Sequence, residues 1–437
     1  MANSPPGSGL PREPIQRLVG PFERFLHVES AGGVVLLIAA VVALVLANSP
    51  GSEAFLGFWK MRVAFAIGGF EMDHSLKHWI NDGLMGIFFF VIGLEVKREL
   101  VLGELRDLRR AVLPLVAAVG GMVVPAGIYL ALQAGEPSAR GWGIPMATDI
   151  AFVVGILALL GSRIPMGLRV MLLSLAIADD IGAILVIAIG YTDGLSLSWL
   201  AAGVGGMGLV MLLAYLGVRS IGVYMLVGGF VWLGFHESGV HATIAGVLLG
   251  LATPAHSWIG EGTLAELSEK TFAVLRGEGL EGGARHHALR QVETAARETI
   301  SPLERLEAAL HPWVAFLIMP LFAFANAGVV LDLADLADPV AVAVAAGLVV
   351  GKPLGIVGFS ALAVALGIAR LPEGVGWGAL TGGAFLAGIG FTMALFIADL
   401  ALYADDLDAA KVGILGASLV CGVLGTFVLS RLPARTS

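Results

Sequence analysis

Four ionisable residues stand inside otherwise apolar stretches: Asp149 in IPMATDIAF, Asp179 and Asp180 in LAIADDIGAI, and Lys352 in VVGKPLGI. One such group at the centre of a membrane helix opposes insertion by roughly 3 kcal/mol, and four by about 12 kcal/mol. A penalty of that size points to a task. Pairing merely to fix helix packing would match one acid to the single lysine and leave carboxylates over. A carboxylate binds either a proton or a metal cation, so one site opened alternately to two sides of a membrane makes the two ions take turns. Desolvation favours a neutral carboxyl and a neutral amine, whereas a nearby opposite charge favours both ionised forms.

Asp179 and Asp180 are neighbours, and neighbours on a helix project about 100° apart. They need separate partners. One can meet Lys352 across a bundle while the other faces a hydrated cavity, and geometry leaves open which does which. Around Asp149 the helix must be interrupted, because Gly141, Gly143 and Pro145 precede Ala147-Thr148-Asp149. The opposite half of the chain has Gly382, Gly383, Gly388 and Gly390 in the run to Phe391-Thr392. Paired Gly/Pro-broken spans point to a transporter site near the bilayer midplane. Unwound backbone offers carbonyls to a hard cation, and carboxylates and the Thr148 hydroxyl add oxygen ligands. Taken alone, the glycines fit close packing of neighbouring helices equally well.

The elements that must position these residues are membrane helices. The chain has 437 residues, 57% hydrophobic and 14% charged, far more apolar than a soluble protein. Apolar runs long enough to cross a hydrocarbon core of about 30 Å recur along its length. They predict about twelve spans, near 31–48, 79–96, 111–133, 143–160, 166–191, 198–217, 220–235, 238–253, 309–329, 340–367, 376–400 and 411–431. Basic residues gather in alternate loops, with Lys97, Arg98, Arg106, Arg109 and Arg110 in one and Lys270, Arg276, Arg285, Arg290, Arg297 and Arg305 in another. Acids such as Glu237, Asp332, Asp335, Asp338 and Asp408 hold the opposite loops. By the positive-inside rule both termini are cytoplasmic.

The organisation expected is therefore a cytoplasmic N-terminal segment (1–30), eight spans (31–253), a charged cytoplasmic insert (254–306), four further spans (307–432) and a short cytoplasmic tail (433–437). No apolar stretch typical of a signal peptide opens the chain. Residues 50–78 contain MRVAFAIGGFEM, which reads as a β-hairpin outside the membrane around Gly68-Gly69. The insert has helix-forming stretches near 261–276 and 286–300 and reads as a solvated surface. Cys421, the single cysteine, reads as a small buried hydrophobe. The formal charge of −8 argues against a nucleic-acid partner.

At GLEVKREL, PMATDIAF, ALLGSRIP, IADDIGAI, GVHATIAG, LHPWVAFLIMPLFAFANAG, GKPLGI and GIGFTMALFIA the chain resembles the NhaA-type sodium/proton antiporters, from about residue 20 to 430. The resemblance implies an all-α, twelve-helix fold with a small extramembrane β-hairpin. In it, spans three to five and ten to twelve form an inverted repeat, and spans four and eleven are unwound and cross. It implies a multi-pass protein of the bacterial inner membrane that extrudes cytoplasmic Na+ or Li+ for external protons, electrogenically and under pH control. It also implies no cofactor beyond the transported ions, and a homodimer joined through the 50–78 hairpin.

Carried over, Asp180 looks like the principal cation ligand, Asp179 like the partner of Lys352, and Thr148 and Asp149 like the residues at the crossing. Glu95, Arg98, Glu99, His241, Glu307 and His311 look like the cytoplasmic and pH-response positions. The 254–306 insert is longer than the family's usual connector, and Ala308 stands where another titratable residue can occur. Two other classes fit less well. An intramembrane aspartyl protease needs two aspartates on different helices and a GxGD signature, whereas the best pair here shares one helix. A passive cation channel predicts rings of like residues around a symmetric pore.

Overall fold

The computed structural model describes residues 29–67, 70–103, 106–192, 194–218, 221–275, 282–332 and 334–432. The expected N-terminal segment up to residue 28, the Gly68-Gly69 pair and the 433–437 tail lie outside the described residues. The protein is mostly helical, with one small two-stranded sheet.

The chain opens with α1 (Glu29–Ala47) and a short α2 (Ser52–Lys60), followed by strands β1 (Arg62–Ile67) and β2 (Phe70–Ser75). The strands pair antiparallel, with Arg62 opposite Ser75 and Phe65 opposite Met72. The hairpin read in the sequence is thus present. The loop before it differs from the expectation, because residues 52–60 are helical. Phe55 and Trp59, four apart on one face of α2, meet the Phe324 ring edge-on at 5.3 and 5.6 Å. That tertiary contact holds a nine-residue helix too short to be stable alone. Helix α3 (Leu76–Val101) starts three residues before the expected span, where Ser75 caps it by accepting from the His78 amide at 3.1 Å.

There follow α4 (Leu108–Leu132), a 3-10 segment (Pro137–Met146), α5 (Ile150–Leu160) and α6 (Met166–Gly190). Next come α7 (Leu197–Tyr215), α8 (Ile221–Glu237) and α9 (Ala242–Ala252). Helices α10 (Glu261–Leu275) and α11 (Gly282–Thr299) pack on each other as a surface pair. The chain ends with α12 (Pro302–Asn326), α13 (Pro339–Ala365), α14 (Trp377–Ala387), α15 (Phe391–Ala401) and α16 (Ala404–Ser430).

Among the described residues eight helices are long and apolar enough to cross a membrane, and ten spans result if two bent pairs each count as one. The pairs are α1 with α2, bent by 115°, and α14 with α15, bent by 45°. The expected spans at 220–235 and 238–253 fall on α8 and α9, which have 17 and 11 residues.

Among the described residues three helices widen into π turns, Ile80–Leu84 in α3, Val314–Ile318 in α12 and Gly347–Gly351 in α13, and the last two lie just before a proline. These two share a physical cause. Pro320 and Pro353 lack the amide that would bond Phe316 and Val349, four residues earlier, and their rings press on those carbonyls. The π turn of α13 ends where Lys352 begins, so it sets the direction in which that side chain leaves the helix.

Helix α13 lies against α4 because two glycines remove the side chains between them. A Cβ built on Gly355 would stand 2.0 Å from the Gly120 carbonyl oxygen, whereas one on Gly358 would meet nothing within 4 Å. We expect Gly355→Ala to lower stability by about 1–3 kcal/mol through overpacking. Gly358→Ala, which gains helix propensity, should leave stability unchanged or higher. Thermal midpoints in detergent compare the two.

Candidate ion-binding site

The 3-10 segment ends at Met146, and Ala147, Thr148 and Asp149 run extended before α5 begins. Proline at 145 and small residues at 141 and 143 disfavour a continuous α-helix here. In the other half, α14 stops at Ala387 and α15 restarts at Phe391. The two breaks touch. The Asp149 amide donates to the Ile389 carbonyl at 2.7 Å, and the Thr148 hydroxyl reaches the Ala387 carbonyl at 2.9 Å. Gly390 makes the approach possible, since a Cβ there would stand 2.9 Å from the Ala394 side chain and 3.3 Å from the Ala147 carbonyl oxygen.

Broken helices leave unpaired amides at one end and unpaired carbonyls at the other. Side-chain charge answers both. Asp149 caps α5 by accepting from the Phe152 amide at 3.3 Å, and its other oxygen accepts from the Thr392 amide at 3.1 Å and from the Thr392 hydroxyl. One carboxylate thus faces two helix N-termini, the positive ends of their dipoles. At the negative end of the 3-10 segment, the Lys352 ammonium donates to the Met146 carbonyl. Lys352 is fully buried.

The same ammonium lies 2.8 Å from Asp179 Oδ2. That oxygen also accepts from the Thr148 hydroxyl at 2.7 Å, so the single hydroxyl proton is shared between Asp179 and the Ala387 carbonyl. Asp179 Oδ1 is buried and has no hydrogen-bond partner. The neighbouring Asp180 is 3% exposed and, among the described residues, makes no hydrogen bond or ion pair. The carboxylates that act on it electrostatically are Glu95, Asp179 and Asp149, against the single ammonium of Lys352. Nearly all buried polar groups in proteins have partners. Two acceptor groups without one, in a pocket of net negative charge, suit a desolvated cation.

The remaining predicted residues separate into two places. Glu95, Arg98 and Glu99 follow one another along α3, and Arg98 forms an ion pair with Glu307 of α12. Glu95 acts electrostatically on Asp180 and is itself acted on by Glu307, Arg98 and Glu99, so its charge is coupled both to the buried site and to that ion pair. His311 acts on Glu307 from one turn further along α12. His241 does not join this set. It sits at the N-terminus of α9, with Nε2 2.7 Å from the Tyr191 carbonyl oxygen, whereas α9 meets the Arg98 region at its other end, where Lys97 donates to the Leu251 carbonyl. Ten residues of helix, about 15 Å, separate the two positions.

Two sets of residues escaped the sequence reading. Thr392 supplies two of the three hydrogen bonds described to the Asp149 carboxylate, and the likeness of GIPMAT to GIGFT, each a Gly-rich break ending in threonine, was the available signal. A second polar cluster, with buried asparagines and a half-buried ion pair, joins α3, α12 and α15. Lys77 contacts Asp399 at 2.6 Å, Asn81 donates to Asp399 at 2.7 Å, and Asn326 donates to Asn81 at 2.7 Å. Asp399 lies in an apolar run as Asp149 does, and its charge alone could have marked it. Removal of the charge-assisted bond in Thr392→Val should cost about 1.5–3 kcal/mol. Thr392→Ser, which keeps the hydroxyl, should recover most of it in the same thermal assay.

A multi-pass bundle in which two broken helices meet over buried carboxylates and a lysine defines an ion-coupled secondary transporter. The chain belongs to the Na+/H+ antiporter 1 family, whose sequence model matches residues 23–429. A relative named Na(+)/H(+) antiporter NhaA from Rhodopirellula baltica (strain DSM 10527 / NCIMB 13988 / SH1) is 55% identical over 429 residues, covering 98% of both chains. One of the same name from Rhizobium meliloti (strain 1021) is 53% identical, covering 97% of this chain and 98% of the relative. Na(+)/H(+) antiporter NhaA 2 of Acidiphilium cryptum (strain JF-5) is 52% identical, covering 99% and 96%. The family consists of transporters rather than enzymes, and its ions are substrates rather than cofactors.

Proposed function

We propose that this protein is an electrogenic antiporter that extrudes cytoplasmic Na+ or Li+ in exchange for external protons. The observation that carries the reading is the Asp180 carboxylate, buried and, among the described residues, without a hydrogen bond or ion pair, beside the Asp179–Lys352 ion pair. Asp180 is the principal ligand, and the buried Oδ1 of Asp179, which has no hydrogen-bond partner, is a further oxygen available to the cation. Asp149 and Thr148 hold the crossing in place.

Exchange of one proton for one Na+ on Asp180 moves no net charge. Electrogenic exchange needs a second proton, and the Asp179–Lys352 pair is the adjacent group able to release one. Glu95, Arg98, Glu99, Glu307 and His311 form the route by which cytoplasmic pH acts on the site, because their charges bear on Asp180 through Glu95. His241, with its own partner at the far end of α9, affects pH response separately.

The architecture that goes with this reading has twelve spans with both termini cytoplasmic. Spans three to five and ten to twelve form an inverted repeat, and the β1–β2 hairpin joins two copies into a dimer. A proteoliposome experiment tests the function: external or internal Na+ is pulsed and lumenal pH followed. Proton movement driven by Na+ or Li+ but not by K+, and altered by an imposed membrane potential, is the expected result. Absence of Na+-driven proton movement would refute the proposal.

A further inference from the structure

Three histidines from separate parts of the sequence meet at the hairpin end of the bundle. His74 lies on β2, His78 in the first turn of α3 and His236 in the last turn of α8. One ring nitrogen from each can be chosen so that all three lie within 4.8 Å of one another. The His74 and His78 rings stack with centroids 4.2 Å apart, and His236 meets them at 5.4 and 5.8 Å.

Asp82 completes the cluster. Its Oδ2 lies 3.2 Å from His236 Nδ1 and 3.4 Å from His78 Nε2. Asp82 reaches both because α3 widens into a π turn over Ile80–Leu84. The His236 ring is fixed from behind by Trp232, stacked at 5.2 Å and 9°, whose indole N–H donates to the Asp82 carbonyl at 3.3 Å. His78 Nε2 is buried and has no hydrogen-bond partner. The ion-exchange reading uses none of these side chains.

We propose that His74, His78 and His236 form a binding site for a divalent transition-metal ion of the Zn2+ class, with Asp82 as the orienting carboxylate. The donor set decides the class of ion. Imidazole nitrogens suit Zn2+, Ni2+ and Cu2+, whereas Na+, Mg2+ and Ca2+ take oxygen ligands. With Nδ1 of His236 donating to Asp82, its Nε2 is left for the metal, an arrangement that fixes tautomer and ring orientation in many zinc sites. A tetrahedral ion with bonds of about 2.0–2.1 Å spaces its ligand nitrogens by about 3.3 Å. Binding therefore requires the imidazoles to draw in from a spacing of up to 4.8 Å and His74 and His78 to rotate out of their stack. Three protein ligands leave a fourth position for water. A bound ion would add a tie between the hairpin, the start of α3 and the end of α8, beside the Trp79 bond to the Val63 carbonyl and the Trp232 bond to the Asp82 carbonyl.

The test uses full-length protein without a histidine tag, in detergent micelles, stripped with a chelator and dialysed against ZnCl2 before elemental analysis. About one Zn2+ per chain is expected, undisturbed by excess MgCl2 and accompanied by a rise in thermal midpoint. His74→Asn, His78→Asn and His236→Asn should each weaken binding by at least about tenfold, and Asp82→Asn by about 10–100-fold. Na+-driven exchange by the same histidine variants checks that each is folded. Wild-type protein that takes up no Zn2+ would overturn the proposal. So would folded histidine variants that retain Zn2+ as wild type does, since the metal would then be an adventitious ion only.

Discussion

Asp180→Asn is expected to abolish Na+-driven proton movement in proteoliposomes while leaving the protein folded and no less stable. The two halves of this result have one cause. Asp180 is buried, makes no hydrogen bond or ion pair among the described residues, and shares its surroundings with Glu95, Asp179 and Asp149 against the one ammonium of Lys352. A buried charge without a partner destabilises a fold, by about 1–3 kcal/mol for an unmet polar group and more for an ion. The neutral amide lifts that burden and, having no titratable oxygen, can neither take up a proton nor balance the charge of Na+.

Binding gives a second readout. At a Na+ concentration a hundredfold above its dissociation constant, the folded wild-type protein gains about 2.7 kcal/mol. The variant should lose this gain, so its thermal midpoint should not respond to Na+. Full exchange by Asp180→Asn would remove Asp180 from the role of principal ligand. A variant that loses exchange but still shows Na+-dependent stabilisation would place the ligand elsewhere in the pocket.

Lys352→Ala is expected to behave in the opposite way and lose stability first. Removing one partner of a buried ion pair typically costs about 3–5 kcal/mol, because the other charge is left without compensation. Here Asp179 would keep only the shared Thr148 hydroxyl, and the Met146 carbonyl at the end of the 3-10 segment would lose its donor. The loss should be rescued in part by Asp179→Asn in the same chain, since the amide needs no counter-charge. A double-mutant cycle of thermal midpoints measures that coupling. An unchanged midpoint in Lys352→Ala would count against the pair as a structural element. If the pair also supplies the second proton, the pH dependence of exchange should shift in Lys352→Ala, and the response to membrane potential should weaken with it.

The parts of this protein visible in its sequence are those fixed by local chemistry. Apolar runs announce membrane helices, glycine and proline announce the two breaks, and a charge in an apolar run announces itself by what it costs. The hairpin was legible for the same reason, from two short apolar stretches around a glycine pair. The nine-residue α2 was not, because its support is the ring of Phe324, more than 260 residues further on.

Tertiary structure alone decided how the buried charges divide. Asp179 and Asp180 offer the same chemistry about 100° apart on α6. Which of them meets Lys352 depends on how α6 and α13 are each seated against α4, and that is set by close contacts such as Gly182 on Met122 and Gly355 on Gly120. The bond between Asp149 and Thr392, the Lys77–Asp399–Asn81–Asn326 cluster and the three histidines beside Asp82 likewise join residues from distant parts of the chain. The four charged residues were readable in the sequence because burying charge is costly wherever it occurs. Their partners were not, because partnership is a matter of position, and position is set by the packing of the whole bundle.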